Sequence, residues 1–452
     1  MKNLIRFGFV AVIFTCLLQC FSCKKDALTK YDTAVDKIKI YDDDSIALPI
    51  TVTAGNNCLL SAYNTISGQL KFNLTDNNGK LIWNKQFNVK NISALLKEND
   101  GTFTIISGSR LINIDVNGTV LKDQPDAFPG LYSGSMIFHA SINKINNYIL
   151  TGSFNFTQPF TSVKAFAAEY THDGTQVFQK SYIDTNWIPN VIVMGNYSAI
   201  TGCELMDDGG YMFYGNFYVS MFHDWNNEIR HIIIRTDKLG NDLWYKYDLL
   251  VDTVGQSVQF AAEPPFVGNP TILRDIYGYN FMAYSHELMR TADGNYLCFI
   301  NLPNYSSHDQ RARVYKIDPN GNTLDSAFLD FGKYNRFMGS GAYYYKYPTS
   351  NIKSYSCGNG VVRNPDNTFS ICMQNGFFGS KGLTNSYPSE SRTFVVRIDQ
   401  DLNILDKHYF QNNYTDCFTS VCKSSDGRTV YFGLISSFAN SYKPALIISN
   451  DN

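Results

Sequence analysis

Asp208-Gly209-Gly210-Tyr211-Met212-Phe213-Tyr214-Gly215, followed after a gap by Ile232-Ile233-Ile234-Arg235-Thr236-Asp237-Lys238-Leu239-Gly240-Asn241-Asp242-Leu243-Trp244-Tyr245-Lys246-Tyr247, is a pattern that the chain writes seven times. Each copy holds two turn signals and three apolar runs. One copy cannot bury its own apolar face, so copies must stack side by side. The first turn recurs as Gly55-Asn56-Asn57, Asp100-Gly101, Asn146-Asn147, Asp208-Gly209-Gly210, Asp293-Gly294-Asn295, Asp366-Asn367 and Asp426-Gly427. These residues tolerate the positive φ of hairpin connections, and two-residue turns between antiparallel strands are the expectation. An apolar, aromatic run follows each, such as Phe103-Thr104-Ile105-Ile106 or Tyr296-Leu297-Cys298-Phe299.

A second turn recurs as Asn77-Asn78-Gly79, Val116-Asn117-Gly118, His172-Asp173-Gly174, Lys238-Leu239-Gly240, Pro319-Asn320-Gly321, Gln400-Asp401 and Asn450-Asp451. It predicts a third strand joined to a fourth. From Gly79 to Gly118 is 39 residues, against roughly 40 to 45 for a four-stranded propeller blade. Later spacings grow to 56 (Gly118 to Gly174), 66 (Gly174 to Gly240) and 81 (Gly240 to Gly321) by insertion. The seventh copy stops after its third strand, and Asp36-Lys37-Ile38-Lys39-Ile40-Tyr41 is placed to supply the fourth. The fold class predicted is therefore all-β, a seven-bladed β-propeller of four-stranded blades over residues 36–452, its last blade closed by the N-terminal strand. A two-domain β-sandwich is the alternative, and it does not account for a repeat running to both ends.

Composition agrees. Aromatic residues make up 15%, with Tyr (30) and Phe (32) far above Trp (4), which favours strands. With 38 basic against 40 acidic residues and no basic run beyond Lys24-Lys25, nothing offers an electrostatic footprint for nucleic acid. Residues 1–22 read as a signal peptide: Lys2 and Arg6 form the charged start, and the apolar run Phe7 to Leu18 is short for a membrane span. Cys20-Phe21-Ser22-Cys23-Lys24-Lys25-Asp26 resembles a bacterial lipoprotein signal, with Cys23 as the acylated residue, although Cys20 stands where Leu is usual. The resemblance implies a membrane partner through acylated Cys23, a tether over 23–35, and an outer-membrane location exposed at the surface or facing the periplasm. The repeat itself resembles those of secreted and lipid-anchored bacterial β-propeller proteins, reading Asp-Gly-Gly-Tyr, a gap, then Asp-x-x-Gly-Asn-x-x-Trp-x-Lys-x-Tyr. The matching residues are turns and core, so the resemblance implies fold rather than activity.

In such blades both tight turns fall on one face, and the other two connections on the opposite face. All length variation lies in those other connections, so one face is built out and is the functional candidate. Its candidate ligand-binding residues are Trp187, Tyr197, Phe222, His223, Trp225, Tyr305, His308, Tyr343, Tyr344, Tyr345, Tyr347, Phe377, Phe378 and Tyr387. Aromatic faces interleaved with Asn, Ser and Gly stack on sugar rings or anchor a protein partner; the same rings also serve to pack loops onto a disc. Asp224, Glu228, Asp248, Glu263, Asp275, Glu287 and Asp309 are the acids from which a glycosidase-like pair would come. No catalytic residue is assigned among them, because exposed loop carboxylates are ordinarily solvated.

No cofactor and no metal is expected. None of the seven His sits in a metal pattern, and Walker, Rossmann and nucleophile-elbow motifs are absent. Ser424-Ser425-Asp426-Gly427-Arg428-Thr429 resembles the Asp-box turn of sialidase propellers in a single imperfect copy. Of the seven cysteines after Cys23, most are expected as small apolar strand residues, with Cys357 and Cys372 the pair to test for a disulfide. Asp32-Thr33-Ala34 in the tether resembles a short bacterial O-glycosylation motif. A binding function for a cell-surface lipoprotein is the leading expectation. A carbohydrate-active enzyme and a periplasm-facing assembly factor are the alternatives.

Overall fold

The computed structural model describes residues 29–30, 37–41, 46–55, 57–65, 69–89, 92–132, 134–154, 162–182, 196–220, 227–247, 288–304, 309–329, 356–380, 386–410, 415–436 and 442–449. Two short strands, β1 (Thr29–Lys30) and β2 (Lys37–Ile40), precede the repeats. Blade one is β3 (Ile46–Ala54), β4 (Cys58–Thr65), β5 (Leu70–Asp76) and β6 (Leu81–Gln86). Blade two is β7 (Ala94–Lys97), β8 (Phe103–Ser107), β9 (Arg110–Ile114) and β10 (Val120–Gln124). Blade three is β11 (Met136–Ile142), β12 (Tyr148–Phe154), β13 (Ser162–Tyr170) and β14 (Gln176–Tyr182). Blade four is β15 (Asn196–Leu205), β16 (Tyr211–Ser220), β17 (Asn227–Thr236) and β18 (Asp242–Tyr247). Blade five is β19 (Leu288–Arg290), β20 (Tyr296–Asn304), β21 (Asp309–Ile317) and β22 (Thr323–Leu329). Blade six is β23 (Ser356–Arg363), β24 (Phe369–Ser380), β25 (Ser386–Ile398) and β26 (Ile404–Tyr409). Blade seven is β27 (Thr415–Lys423), β28 (Thr429–Ser436) and β29 (Tyr442–Ser449), completed by β2.

The seven blades are antiparallel meanders arranged in a ring, and no helix occurs among the described residues. Closure follows the sequence reading: β2 pairs antiparallel with β29, Lys37 opposite Ile448 and Ile40 opposite Ala445. The core explains why the second and third strands are almost continuously apolar. There are seven buried clusters, and each lies between two neighbouring blades rather than within one. On β16, Tyr211 and Phe213 join the cluster shared with blade three, while Met212 and Tyr214 join the one shared with blade five. Alternate side chains of one strand thus feed opposite interfaces, as in sheets covered on both faces. The cluster of Leu59 and Tyr63 with Val430, Phe432, Leu446 and Ile448 joins blade one to blade seven.

The turns differ from the two-residue expectation in all but the first. In blade two the Gly101 N–H donates to Glu98 O at 3.1 Å and the Glu98 N–H to Thr102 O at 2.9 Å, which encloses three residues. Only Gly101 has positive φ (87°). This is a type I turn followed by a left-handed residue, which also draws on Asn, Asp and Gly. The second turns share it: Gly79, Gly118, Gly174, Gly240 and Gly321 have φ between 69° and 92°. In five of the six described second turns, all but that of blade three, the opening Asp seals the turn; Asp237 Oδ1, for instance, accepts the N–H groups of Leu239 (2.8 Å) and Asn241 (2.9 Å).

Adjacent blades are latched at these turns. Trp83 Nε1 on β6 donates to Val116 O (2.9 Å) and Lys85 Nζ to Asn117 O (2.6 Å) in the second turn of blade two. Trp244 and Lys246 cover Gly321 of blade five in the same way. The Trp-x-Lys of the repeat is therefore an inter-blade clasp. At the ring closure the Tyr41 hydroxyl donates to Gly79 O (3.1 Å), as Tyr182 does to Gly240 O (2.6 Å).

Candidate functional site

Both classes of tight turn lie on one face. Arg428, in the first turn of blade seven, donates to Asn77 O in the second turn of blade one at 2.8 Å. Lys316 Nζ joins Asp293 (2.8 Å), in the first turn of blade five, to Asp401 (2.9 Å), in the second turn of blade six. The opposite face carries the other connections, and there the blades are unequal. In blade two the β8–β9 ladder runs only from Phe103 opposite Ile114 to Ser107 opposite Arg110. In blade six β24–β25 runs from Phe369 opposite Ile398 to Ser380 opposite Ser386, bulged at Phe377/Phe378. At ~3.4 Å per residue the 12-residue β24 extends about 40 Å and the 5-residue β8 about 17 Å. The hairpins β16–β17 and β20–β21 are also long, with ladders reaching Ser220 opposite Asn227 and Asn304 opposite Asp309. Blades four to six thus rise on one side.

Four of the predicted binding residues fall on these ladders rather than in loops. Tyr197 opens β15, opposite Tyr218 on β16 and beside Val163 of β13, where a two-residue parallel contact bridges blades three and four. Phe377 and Phe378 lie near the end of β24, opposite Glu390 and Pro388, and Tyr387 of β25 faces Gly379. The link between second and third strands in blade six, read from sequence as Phe377 to Arg392, is therefore paired strand over Phe377–Ser380 and Ser386–Arg392. Trp187, Phe222, His223, Trp225, Tyr305, His308, Tyr343, Tyr344, Tyr345 and Tyr347 lie outside the described residues, as does Cys23. Of the acids, Glu228 lies on β17 opposite Val219 and Asp309 on β21 opposite Asn304, while Asp224, Asp248, Glu263, Asp275 and Glu287 lie outside.

Sequence reading missed a set of buried polar joints between blades on the turn side. Glu98, at the end of β7, accepts hydrogen bonds through Oε1 from the Thr104 hydroxyl and from the Tyr148 hydroxyl of blade three (2.8 Å). Its Oε2 accepts none and faces His172 Nε2 at 3.7 Å. Glu169 on β13 accepts from Asn147 Nδ2 (2.7 Å), Asn143 Nδ2 (3.0 Å) and the Tyr211 hydroxyl of blade four (2.8 Å). Burial, followed for Tyr148 by the adjacent carboxylate, raises both tyrosines above their ordinary range. The Tyr after the first turn is therefore a phenol donor to the preceding blade, and its place directly after the turn was the available signal. Arg235 ties Asp208 to Tyr211 O and Thr236 O within blade four.

Glu204, on β15 just before the first turn of blade four, is different. Burial pushes its carboxyl up to about 7, against the attraction of Arg290, Arg363 and Lys144. His139 is an inner-strand residue of β11 that burial lowers to about 4. Among the described residues no group of three or more His, Cys, Asp or Glu is arranged to hold a metal ion. Cys357 and Cys372 lie on neighbouring strands as expected, but they face Gln374 and Gly360, and Cys372 is in no disulfide, its Sγ donating to Phe418 O at 3.3 Å. Cys58 and Cys298 are likewise free and buried.

The chain is a closed seven-bladed β-propeller with one tight-turned face and one face raised over blades four to six. No protein-family model matches it, and no curated protein matches it. Among solved structures it is similar to the Dos1 propeller, with 12% identity over 92% of this chain and 81% of that one and a TM-score of 0.41. It is also similar to a protein of unknown function from Dyadobacter fermentans DSM 18053 (10% identity, 92% and 98% covered, TM-score 0.43). A third is puromycin hydrolase (11% identity, 88% and 51% covered, TM-score 0.47). At these identities the likeness concerns the fold alone.

Proposed function

We propose that the protein is a cell-surface lipoprotein, anchored through acylated Cys23, whose raised face binds an extracellular glycan or protein partner. The observation that carries this reading is the asymmetry of the disc. Every described connection on one face is a tight turn sealed by its own hydrogen bonds. On the other face the ladders of blades four to six lengthen, and the longest inserted stretches of sequence leave from that side. A rigid disc with one elaborated face is how binding surfaces are built on repeat scaffolds. Tyr197, Phe377, Phe378 and Tyr387 stand on that side, and Tyr343 to Tyr347 belong to a segment that joins blades five and six there.

The test is a glycan array and a partner pull-down with residues 24–452. Specific binding is expected, and it should be lost on replacing Tyr343, Tyr344, Tyr345 and Tyr347 with Ser while the thermal midpoint stays unchanged. Lost folding in that variant would mean that the rings pack the structure instead. Protease treatment of intact cells checks the location: cleavage without lysis is expected of a surface-displayed protein.

A further inference from the structure

Every large apolar side chain exposed among the described residues lies on an outer strand or in a tight turn. The pattern is regular. The second residue of the outer strand is aliphatic and exposed in six blades: Ile82, Leu121, Val177, Leu243, Leu324 and Leu405, from 39% (Val177) to 59% (Leu243). In the seventh blade Lys37 stands opposite Ile448 as Trp83 stands opposite Leu74, so the corresponding position is Asp36 and the aliphatic series is limited to the other six blades. Outer strands are edges, and edges ordinarily carry charge to stay solvated. Here one position stays apolar while the rest of each blade diverges. Each of these residues follows a second turn directly, so the six stand at one level of the disc, around its circumference, on the tight-turn side.

The path of the N-terminus supplies the occupant. β1 adds to the outer edge of blade six, parallel to β26, with Thr29 opposite His408 and Lys30 opposite Tyr409. β26 starts at a second turn and runs away from the tight-turn face, so β1 does too, and the chain enters Thr29 from that side. Six residue steps separate Cys23 from Thr29, a reach of at most ~20 Å. His408 is three positions beyond Leu405, about 10 Å along the strand. Trp83 and Trp244 adjoin the apolar position, each with a Lys ammonium over its ring at 5.4 and 5.6 Å. Indole and ammonium side by side suit the boundary between acyl chains and headgroups.

We propose that the aliphatic rim of the tight-turn face rests on the lipid bilayer that holds the acyl chains of Cys23, so that the raised face points away from the membrane. This rests on the lipoprotein reading above. The rim supplies the second attachment that stable anchoring by acyl chains generally uses. Because the turns beside it carry carboxylates such as Asp115, Asp237, Asp318 and Asp399, the attachment is apolar rather than electrostatic, and it should survive ~1 M salt.

The chain's four tryptophans make the test direct, since Trp83 and Trp244 mark the rim while Trp187 and Trp225 stand in sequence between β14 and β15 and between β16 and β17. The mature protein is reconstituted into vesicles of phosphatidylethanolamine and phosphatidylglycerol with brominated acyl chains. The W187F/W225F variant, which reports the rim, should lose about half its fluorescence, as expected of indoles at interfacial depth. The W83F/W244F variant should be scarcely quenched. Replacing Leu121, Leu243 and Leu405 with Glu should abolish quenching of the rim pair. Equal quenching of both pairs, quenching of Trp187 and Trp225 alone, or an unquenched rim covered by a second copy of the chain would overturn the proposal while leaving acylation intact. A mature mass without acyl chains on Cys23 would overturn the anchor itself, and the orientation with it.

Discussion

A single left-handed residue shapes each tight turn, and its neighbours decide how much a side chain there would cost. Gly294 (φ +83°) has nothing within 4 Å of the position a Cβ would take, whereas at Gly321 (φ +75°) that atom would stand 2.5 Å from the Trp244 ring. Gly294→Ala should therefore destabilise by about 1 kcal/mol from the backbone alone, and Gly321→Ala by about 3 kcal/mol once the displaced clasp is added; urea unfolding separates the two. Leu402 occupies the same conformation (φ 65°) where five other copies have Gly. It is 5% exposed in the cluster between blades five and six, so burial of roughly 2 kcal/mol offsets strain of similar size. Composition revealed where the turns lie but not their type, since Asn, Asp and Gly serve both two- and three-residue loops. Glu204 carries a pH signature. Its folded value near 7 lies above the ordinary 4.5, so between those values the folded state holds the extra proton and stability falls as pH rises, levelling above about 7. Glu204→Gln should match the native protein near pH 5 and exceed it at pH 8 by about 1 to 3 kcal/mol; equal stability at both would refute the assignment.

At the scale of the strand, β2 both completes a blade and clasps the next. Its Ile38 packs against the cluster between blades six and seven, and Tyr41 beside it is buried in the one between seven and one. A chain beginning at Asp42 should lose about 5 kcal/mol, from two large side chains at roughly 1.5 to 3 kcal/mol each plus the exposed edge of β29. A chain beginning at Asp36 should lose little, because β1 contributes only two paired residues. Thermal unfolding of the two truncations would rank them, and equal midpoints would show that β2 is dispensable. This strand was legible because a missing fourth strand at one end matched a spare alternating segment at the other. The long β24–β25 hairpin was not: Gly376 to Ser391 mixes Gly, Ser, Pro and aromatic residues without period-2 alternation, so its pairing comes from the ladder continuing upward from the core rather than from local preference.

Across the whole molecule, stability and function occupy different parts of the chain. The repeated residues form the seven inter-blade clusters and the clasps, which is why the sequence disclosed the architecture from end to end. Candidate binding residues differ from blade to blade and sit where insertions interrupt the repeat, so periodicity carries no information about them. The Glu98 and Glu169 joints escaped notice for another reason: each is assembled from two blades, and no spacing within one copy reveals it. A ring of blades is cooperative only while its closing seam holds, and here the seam consists of four paired residues, one cluster and the hydrogen bonds that Ser420, Ser425 and Arg428 of blade seven make to blade one. Locking it should therefore raise the stability of the entire disc. Ile40 and Ala445 stand directly opposite, and Ile40 is 41% exposed, so replacing both with Cys sacrifices little packing. The bridge would close a loop of roughly 400 residues, stabilising by up to about 6 kcal/mol in the chain-entropy view, less any strain. The oxidised variant should unfold at a higher urea midpoint than its reduced form, with all blades lost in one transition. An unchanged midpoint would mean that unfolding begins at another interface.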